Sequence, residues 1–545
     1  MPSWGRSIES PRFVALALCA LTALALALRW PGAHQALYGD ELFTYDIVTT
    51  TGLGGLLGQI RDTSITPPLH YLLAYAAQKL GDPPVSVRLP SLLAGAAAVP
   101  LVYLLGARTV GRRAALLGAT FAAISPFLVF YGSEARAYAL LMALLLICTL
   151  ALLGALRPGA SRWWWALFAV SGAASLYTHY TAAIYLAAQA AWALYAYRER
   201  RRAVLGANAL VAVAFAPWIP SYIDQRRNPG VEAVATGFPK GLSAAPEGYL
   251  ERLAVLVTGH PFLPLRELPG RAWLLVAALA ALAALVSTLV AHRRRAGGPA
   301  SADAASAREG GSHAATRSPL LLIALLAASL PVGLILYRIG GTNLFAPRNL
   351  IPSLPAMLLL LAALFTRVRG PAGPVLAAVF AAALVAGTID SLRAPARRPP
   401  WNLAARWLDR NAGPGVPVAQ GDIVALLGKR RALFYDMAIF FDRAHPWFLP
   451  AIVPGSWDEA VKARRVAIAY SIVPGKPAAD GPPPAGRWRR ERTLRWRGLN
   501  GVGVTTWVRV GGRPASVPRC PPMRFRDHRR LDEPSVPCSA VTPLR

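Results

Sequence analysis

Two adjacent carboxylates follow the first apolar segment of the chain. Asp40 and Glu41 lie in the sequence Tyr-Gly-Asp-Glu, shortly after an apolar run that ends near Trp30. A carboxylate in a half-dry groove can accept the proton of an attacking hydroxyl group, which is one chemistry open to such a pair. Two acids in an ordinary solvated loop are the alternative, and their spacing by itself does not distinguish the two.

Further groups able to do chemistry lie in three short connections between apolar segments. Arginine offers a bidentate fork for phosphate, and histidine, tyrosine and glutamate can line a polar groove. Charged residues at helix ends also serve as simple anchors at a membrane surface, so no single one of them decides the function. The connections are Tyr-Gly-Ser-Glu-Ala-Arg-Ala-Tyr at 131–138, Tyr-Thr-His-Tyr-Thr at 177–181 and Phe-Ala-Pro-Arg-Asn at 345–349.

Long apolar blocks must position these groups. Hydrophobic residues make up 54% of the chain, more than soluble domains carry, and most lie in blocks with almost no charge. Blocks of this length cross a bilayer, where the backbone satisfies its hydrogen bonds as a helix. The sequence therefore predicts a polytopic α-helical membrane protein with about eleven transmembrane helices. The predicted spans are 13–30, 86–105, 114–130, 137–156, 163–178, 182–197, 203–220, 271–291, 319–337, 350–366 and 371–389.

Arginine-rich loops set the predicted orientation. Short basic loops stay in the cytoplasm, which places the N-terminus inside and the C-terminus outside the plasma membrane of what we expect to be a bacterial cell. The segment 67–80 is apolar but short, and is interpreted as an interfacial helix. If it spanned the membrane, the basic loops after it would lie outside. Those loops contain Arg108-Arg112-Arg113, Arg157-Arg162, Arg198-Arg200-Arg201-Arg202, Arg293-Arg294-Arg295 and Arg367-Arg369.

The net charge of +31 is explained by these loops and by the C-terminal region, so binding of nucleic acid is not expected. The chain is divided into a transmembrane catalytic domain at 1–391, which includes an outer loop at 31–85, and a small extracytoplasmic α/β domain at 392–512. A basic tail at 513–545 is predicted to be disordered. In the α/β domain, 402–409 is predicted as a helix, and 416–427, 464–472 and 502–510 as strands. The cysteines Cys520 and Cys538 either form a disulfide or stay as free thiols.

The combination of motifs resembles the GT-C class of membrane glycosyltransferases, in particular the family 39 group of protein O-mannosyltransferases and lipid A aminoarabinose transferases. The order and spacing match through about residue 225 and again near 345–360. Thr66 departs from the pattern, since many relatives carry His or Lys before the proline pair. The matching residues are Asp40-Glu41, Thr66-Pro67-Pro68-Leu69-His70-Tyr71, Arg88-Leu89-Pro90-Ser91, Ser125-Pro126, Ser133–Leu140, Tyr177-Thr178-His179-Tyr180 and Arg348–Pro352.

The resemblance implies transfer of a hexosyl or pentosyl group from a polyprenyl-phosphate carrier to a hydroxyl group of a glycan, lipid or protein, with inversion. It implies that Asp40 is the catalytic base and that Glu41 orients it or holds the acceptor. Arg136 and Arg348, with Arg88 third, are implied as ligands of the donor phosphate. No cofactor or metal ligand is assigned, although a divalent metal is left open. The implied substrate groove contains His70, Tyr71, Glu134, Tyr138, His179 and Tyr180.

Two other classes of protein remain possible on the sequence. A transporter or flippase for a lipid-linked substrate places its charges near the bilayer midplane and often has inverted repeats. Here the charges gather at one predicted surface, and no clear repeat is found. The second class is a non-catalytic assembly or anchoring protein, which would keep its function when Asp40 is replaced.

Overall fold

The computed structural model divides the chain into two compact units, which are described separately. The first comprises 1–33, 53–231 and 238–391, and the second comprises 34–52, 232–237 and 392–545. The structure describes residues 10–50, 52–227, 251–256, 272, 275–276, 278–286, 319–339, 345–412, 416–420, 445–448, 463–472, 478, 480–483, 486–499, 501–511, 522–523 and 539–541.

The first unit is helical throughout the residues that the structure describes. Its helices are α1 (Pro11–Ala33), α3 (Leu53–Thr63), α4 (Leu69–Ala77), α5 (Pro83–Ser86), α6 (Leu89–Thr109), α7 (Arg112–Ile124), α8 (Pro126–Gly132), α9 (Tyr138–Ala155), α10 (Trp163–Leu176), α11 (Ala182–Ala196), α12 (Arg201–Phe215), α13 (Ile219–Arg227), α14 (Pro319–Ile339), α15 (Leu354–Arg367) and α16 (Ala372–Leu392). Short 3-10 turns, including Gln78–Leu80 and Pro347–Ser353, extend some of them.

Length and composition allow seven helical segments in the described part of the chain to cross a membrane. An eighth is added if α7 and α8, which are bent by 59° relative to each other, form one span. Ser125 explains the bend, because its side chain accepts a hydrogen bond from the Leu128 N–H and Pro126 starts the next helix. Two more apolar helices, α10 and α11, are shorter.

The predicted spans coincide with helices, and the described residues of the span 271–291, which are 272, 275–276 and 278–286, are helical as well. The segment predicted as an interfacial helix forms α4 and the turn Gln78–Leu80.

Small residues let the helices of the first unit approach closely. A Cβ atom added at Gly106 or Gly118 would lie 2.6 or 2.7 Å from the Leu359 side chain, so α6, α7 and α15 meet where no larger residue fits. A buried polar contact joins α9 to α11, where Gln189 donates a hydrogen bond of 2.5 Å to Thr149. Such contacts hold helices together where the hydrophobic effect does not distinguish protein from lipid.

The second unit contains the helices α2 (Asp40–Thr50) and α17 (Trp401–Asn411) and one sheet. The strands are β1 (Val418–Gln420), β2 (His445–Phe448), β3 (Arg465–Ile472), β4 (Trp488–Trp496), β5 (Gly501–Arg509), β6 (Pro522–Met523) and β7 (Ser539–Val541). Their order across the sheet is β4-β5-β3-β1-β2-β7-β6.

The core of the sheet is the pair formed by β3 and β5. These strands are antiparallel, with Arg465 opposite Val508 and Ile472 opposite Gly501, and most of their residues are buried. β1 pairs in parallel with both β2 and β3. The predicted helix at 402–409 and the predicted strands near 464–472 and 502–510 are confirmed, and the strand predicted over 416–427 is described at 418–420.

The strand β4, which is rich in arginine and lies at one edge of the sheet, was not predicted from the sequence. Two short strands, β6 and β7, lie in the segment predicted as a disordered tail. Most of that tail, including Cys520 and Cys538, lies outside the described residues.

Candidate active site

The first unit joins the motif around His70 to the motif around His179. Pro67 and Pro68 precede α4, since proline is tolerated at the start of a helix but lacks the N–H that a helix interior needs. The first amide of the helix, at Leu69, then donates to the carbonyl oxygen of Tyr177 over 2.9 Å. This bond holds α4 beside the connection between α10 and α11.

Three hydroxyl groups form a buried cluster at the start of α4. The Ser64 and Tyr71 oxygen atoms are 2.9 Å apart, and Thr66 donates to the Tyr71 oxygen over 3.2 Å. Thr66, the position at which the sequence departs from the family pattern, therefore supplies a hydroxyl group to this cluster, and its partners are Ser64 and Tyr71.

Arg136 lies against this cluster. Its guanidinium donates to the Tyr71 oxygen over 3.4 Å, a long hydrogen bond. Ser91, on α6, fixes the backbone at the same position by donating to the Arg136 carbonyl over 2.9 Å. The Ser91 oxygen is also 3.5 Å from Nε2 of His70. Arg136 is only 8% exposed, so its charge acts in a medium that screens it weakly.

Both histidines of the site are held neutral. Burial, together with the positive charges of Arg136 and Arg348, lowers the pKa of His179 to about 3. Burial, followed by the charge of Arg136, lowers the pKa of His70 to about 3. Because charges act appreciably only over short distances, the shared effect on His179 indicates that Arg136 and Arg348 face the same region. At neutral pH the imidazoles can exchange hydrogen bonds but add no charge.

The position of Arg348 depends on the 3-10 turn Pro347–Ser353. Phe345 lies just before this turn, and the buried Arg252 donates a hydrogen bond to its carbonyl oxygen over 2.7 Å. The Arg252 guanidinium also lies 5.8 Å from the centre of the Phe345 ring. Arg252 thus orients the segment that carries Arg348. Arg252 was not recognised in the sequence, because the surrounding segment has no motif.

The remaining predicted groove residues divide into two groups. The Tyr138 ring lies 5.7 Å from that of His179, and Glu134 is buried in the same connection as Arg136. Tyr180 instead donates to Gln225 and accepts a hydrogen bond of 3.1 Å from the Trp218 indole, so its hydroxyl group is engaged with the α12–α13 region.

Arg88 has a structural contact of its own. It is fully buried, and its guanidinium donates to the carbonyl oxygen of Ala33, the last residue of α1, over 2.7 Å. A cation at this place satisfies a carbonyl group that the helix end leaves open. Its predicted role at the donor phosphate stays a prediction.

In the second unit, Glu41 forms a buried ion pair. Its carboxylate is 3.1 Å from Nε of Arg398, with the two side chains 0% and 3% exposed, and it accepts a hydrogen bond from the Tyr38 N–H. The Arg398 N–H in turn donates to the Gln35 side chain over 2.9 Å. Asp40, partly exposed, begins α2 beside this pair. Arg398 was missed in the sequence because its partner lies far away along the chain.

The described residues contain no group of three His, Cys, Asp or Glu side chains arranged to hold a metal ion.

Comparison with known proteins identifies the fold. Residues 65–222 match the model of a family described as dolichyl-phosphate-mannose-protein mannosyltransferase. Apo ArnT from Cupriavidus metallidurans aligns with 89% of this chain and 97% of its own, at 14% identity and a TM-score of 0.51. The chain has the GT-C fold. ArnT bound to undecaprenyl phosphate gives 91% and 98% coverage, 13% identity and a TM-score of 0.52.

The prediction of a polytopic helical membrane protein with a small C-terminal sheet is therefore confirmed, as is the resemblance to GT-C glycosyltransferases. Membership of family 39 stays a prediction. The archaeal oligosaccharyltransferase AglB from Archaeoglobus fulgidus aligns with 73% of this GT-C chain and 58% of its own, at 12% identity. Its TM-score of 0.41 is too low to support an argument. No curated protein matches the chain in sequence.

Proposed function

We propose that this GT-C protein is an inverting glycosyltransferase that moves a sugar from a polyprenyl-phosphate carrier to a hydroxyl acceptor. The observation that carries the proposal is that Arg136, which donates a hydrogen bond to Tyr71, and Arg348 both lower the pKa of His179, which supports a common site for the two cations. Two arginine side chains suit an anion, and the uncharged hydroxyl and imidazole groups of the same site suit a sugar.

Two comparisons support a lipid-linked donor. The matching family model is named for a reaction that uses dolichyl-phosphate-mannose, and the structural neighbour ArnT has been crystallised with undecaprenyl phosphate. A polyprenyl phosphate presents its charge where its apolar tail leaves the bilayer. The cations of this chain lie in connections between apolar helices, and a carrier phosphate at the membrane surface would contact the protein there.

The proposed reaction is one displacement. The acceptor oxygen attacks the anomeric carbon, its proton passes to Asp40, and the bond from the anomeric carbon to the phosphate oxygen breaks. The electron pair of that bond leaves with the carrier phosphate, whose growing charge Arg136 and Arg348 stabilise. A single displacement inverts the anomeric centre.

The other residues have supporting roles. Glu41, held by Arg398, orients the start of α2, where Asp40 lies. His70, Tyr71, Glu134, Tyr138 and His179 contact the sugar or the acceptor. The site faces the outer side of the plasma membrane, with the N-terminus in the cytoplasm and the C-terminus outside. The acceptor is a glycan, a lipid or a protein.

The donor class can be tested with the purified full-length protein in detergent or liposomes. It should transfer labelled sugar from a polyprenyl-phosphate sugar and show no turnover with a nucleotide sugar in a carrier-free system. Equal turnover with both donors would contradict the proposal. Mass spectrometry of glycoconjugates from a deletion strain would identify the acceptor.

The orientation can be tested in whole cells with an impermeant thiol reagent. A cysteine placed near Asp40 or near Trp401 should react, whereas a cysteine in the Arg198–Arg202 loop should be protected. Labelling of the arginine loop from outside would show that the proposed orientation is wrong.

A further inference from the structure

A buried arginine in the first helix is not explained by the fold or by the proposed mechanism. Arg29 lies in α1, in an otherwise apolar run, and is 1% exposed. One guanidinium nitrogen donates to the Ala25 carbonyl of its own helix over 2.8 Å. Its Nε and Nη2 atoms have no hydrogen-bond partner among the residues that the structure describes.

Such a group is costly, because a buried cation loses its hydration and here gains only one backbone contact. Ionisable residues within membrane spans are rare and usually functional. The empty protein therefore carries a charge whose burial is offset, in its described part, by a single hydrogen bond to the backbone.

Two glycines make the space that Arg29 fills. A Cβ atom added at Gly132, in α8, would lie 2.3 Å from Nε of Arg29, and one added at Gly95, in α6, would lie 3.0 Å from it. The guanidinium is therefore pressed against the backbone of two helices, and its position is well defined.

This position lies close to the candidate site. Gly95 is one helical turn after Ser91 on the same face of α6, a rise of about 5–6 Å. Ser91 holds the Arg136 backbone and lies beside His70. Arg29 therefore contacts α6 one turn along from the group that fixes Arg136.

The buried charges of the first unit are mainly positive. Its buried charged side chains among the described residues are Arg29, Arg88, Arg136, Arg252 and a single acid, Glu134. A surplus of positive charge in a weakly polar interior favours an anionic ligand over a neutral or cationic one.

We propose that Arg29 is a further cation of the donor site, whose fixed charge attracts the carrier phosphate through space rather than by contact. This inference rests on the proposed function. During transfer the phosphate changes from a diester with one negative charge to a monoester that approaches two at neutral pH, since its second pKa is about 6. A fixed cation therefore stabilises the released carrier phosphate more than the donor, and favours cleavage.

The test is equilibrium binding of polyprenyl phosphate and of uncharged polyprenol to the purified full-length protein. Arg29→Met and Arg29→Gln should weaken binding of polyprenyl phosphate at pH 7.5 by about tenfold or more, as expected for a unit charge about 10 Å away at an effective dielectric constant of about 20. Binding of polyprenol should not change. Arg29→Lys keeps the charge and should keep most of the affinity.

The pH dependence of polyprenyl-phosphate binding separates an effect of the Arg29 charge from an effect of its side-chain shape. Between pH 5.5 and 7.5 the carrier phosphate gains charge, so wild-type affinity should rise, and it should rise less in Arg29→Met. The control is Arg108→Met, because Arg108 lies at the opposite end of α6, where its guanidinium faces the Trp164 ring at 5.9 Å. This variant should behave as wild type.

Several results would overturn the proposal. Neutral variants that bind polyprenyl phosphate as tightly as wild type would show that Arg29 does not belong to the donor site. Equal losses of affinity for polyprenyl phosphate and for polyprenol would show that Arg29 shapes the binding site and does not act through its charge. Failure of both neutral variants to fold would show that the charge is needed by the empty protein, contrary to the proposal. If wild type itself does not bind polyprenyl phosphate, the proposed function fails as well, and that result does not depend on residue 29.

Discussion

The two units differ in whether their buried charged side chains have partners of opposite charge. In the first unit, arginines outnumber acids among the buried residues that the structure describes, and Arg29 has two nitrogens without a partner there. In the second unit, buried Glu41 lies against buried Arg398 in an ion pair of 3.1 Å. Arg29 therefore lacks, among the described residues, a partner of opposite charge such as Arg398 has in Glu41.

This difference predicts that buried charge serves ligand binding in the first unit and structural stability in the second. A surplus cation is unfavourable until a ligand arrives, so its benefit is realised in binding and catalysis. A closed pair fixes geometry, since both partners and the segments that carry them must stay in place. Substitutions in the first unit should therefore change affinity for the donor, and substitutions at the pair should change stability and the orientation of α2.

The largest expected effect is on stability, at Arg398. Arg398→Met leaves the Glu41 carboxylate buried without its cation, which typically costs 3–5 kcal/mol, an order-of-magnitude figure. The melting temperature of the purified protein should fall clearly. The double variant Glu41→Gln/Arg398→Met removes both charges and should recover much of the loss.

The matched control for this experiment is Arg465→Met in the same unit. Arg465 pairs with Glu491 at 2.6 Å, but these side chains are 32% and 37% exposed, and exposed pairs contribute little. If Arg398→Met and Arg465→Met lowered the melting temperature by the same amount, the buried pair would contribute no more to stability than the exposed pair.

The next largest effect is on turnover, at Asp40. Asp40→Asn preserves size but cannot take a proton, so the rate should fall by about a hundredfold or more if this carboxylate is the base. Donor affinity should change little. Glu41→Gln should slow turnover less, because an orienting residue acts indirectly.

The acceptor decides how the Asp40 result is interpreted. An acidic acceptor, such as a lipid phosphate, needs no base, and Asp40→Asn would then stay partly active. With a hydroxyl acceptor, wild-type turnover by Asp40→Asn would exclude Asp40 and leave Glu41 or Glu134 as the base to test.

The sequence predicted best the helices and strands that are marked by runs of apolar residues. Charge-free blocks of bilayer length predicted the helices, and short apolar runs predicted β3 and β5. It failed at β4, whose residues Arg489 to Arg492 are exposed. An edge strand needs apolar residues only where it faces the core, so its sequence resembles a solvated loop.

Long-range pairings in the site could not be predicted, because two charges along a chain do not show whether they meet. Arg398 has no motif that links it to Glu41. Arg29 did carry a signal, since it is a charged residue in a predicted span, and such residues are functional candidates by default. It lies near the end of that span, where arginines also serve as surface anchors.

A smaller effect on donor binding is expected at Arg348. Arg348→Ala should weaken donor binding by about ten- to a hundredfold, since hydrogen bonds to charged groups contribute about 1.5–3 kcal/mol. Arg348→Lys should restore only part of the affinity, because lysine lacks the fork. Titration with a polyprenyl-phosphate sugar measures both.

The control for Arg348 is Arg369→Ala, which removes an exposed arginine from a loop of the same unit. It should bind the donor as wild type does. An unchanged donor affinity in Arg348→Ala would move the phosphate contact elsewhere, with Arg136 as the next residue to test.

The smallest expected effect is a pH dependence of stability caused by the two buried histidines. The pKa values of His70 and His179 are lowered to about 3, chiefly by burial and further by Arg136. In the unfolded chain histidine titrates near 6.5, so between these values the unfolded state binds protons that the native state does not. Stability is therefore full above pH 6.5 and falls as the pH falls towards 3.

At pH 5.5 each buried histidine should cost the folded state about 1 kcal/mol relative to neutral pH. The drop in melting temperature between pH 7.5 and 5.5 should therefore be smaller in His179→Gln than in wild type. His34→Gln, at an exposed histidine of the second unit, should leave the drop unchanged. An unaltered drop in His179→Gln would mean that this imidazole is protonated in the folded protein, and the site would then hold one more cation than proposed.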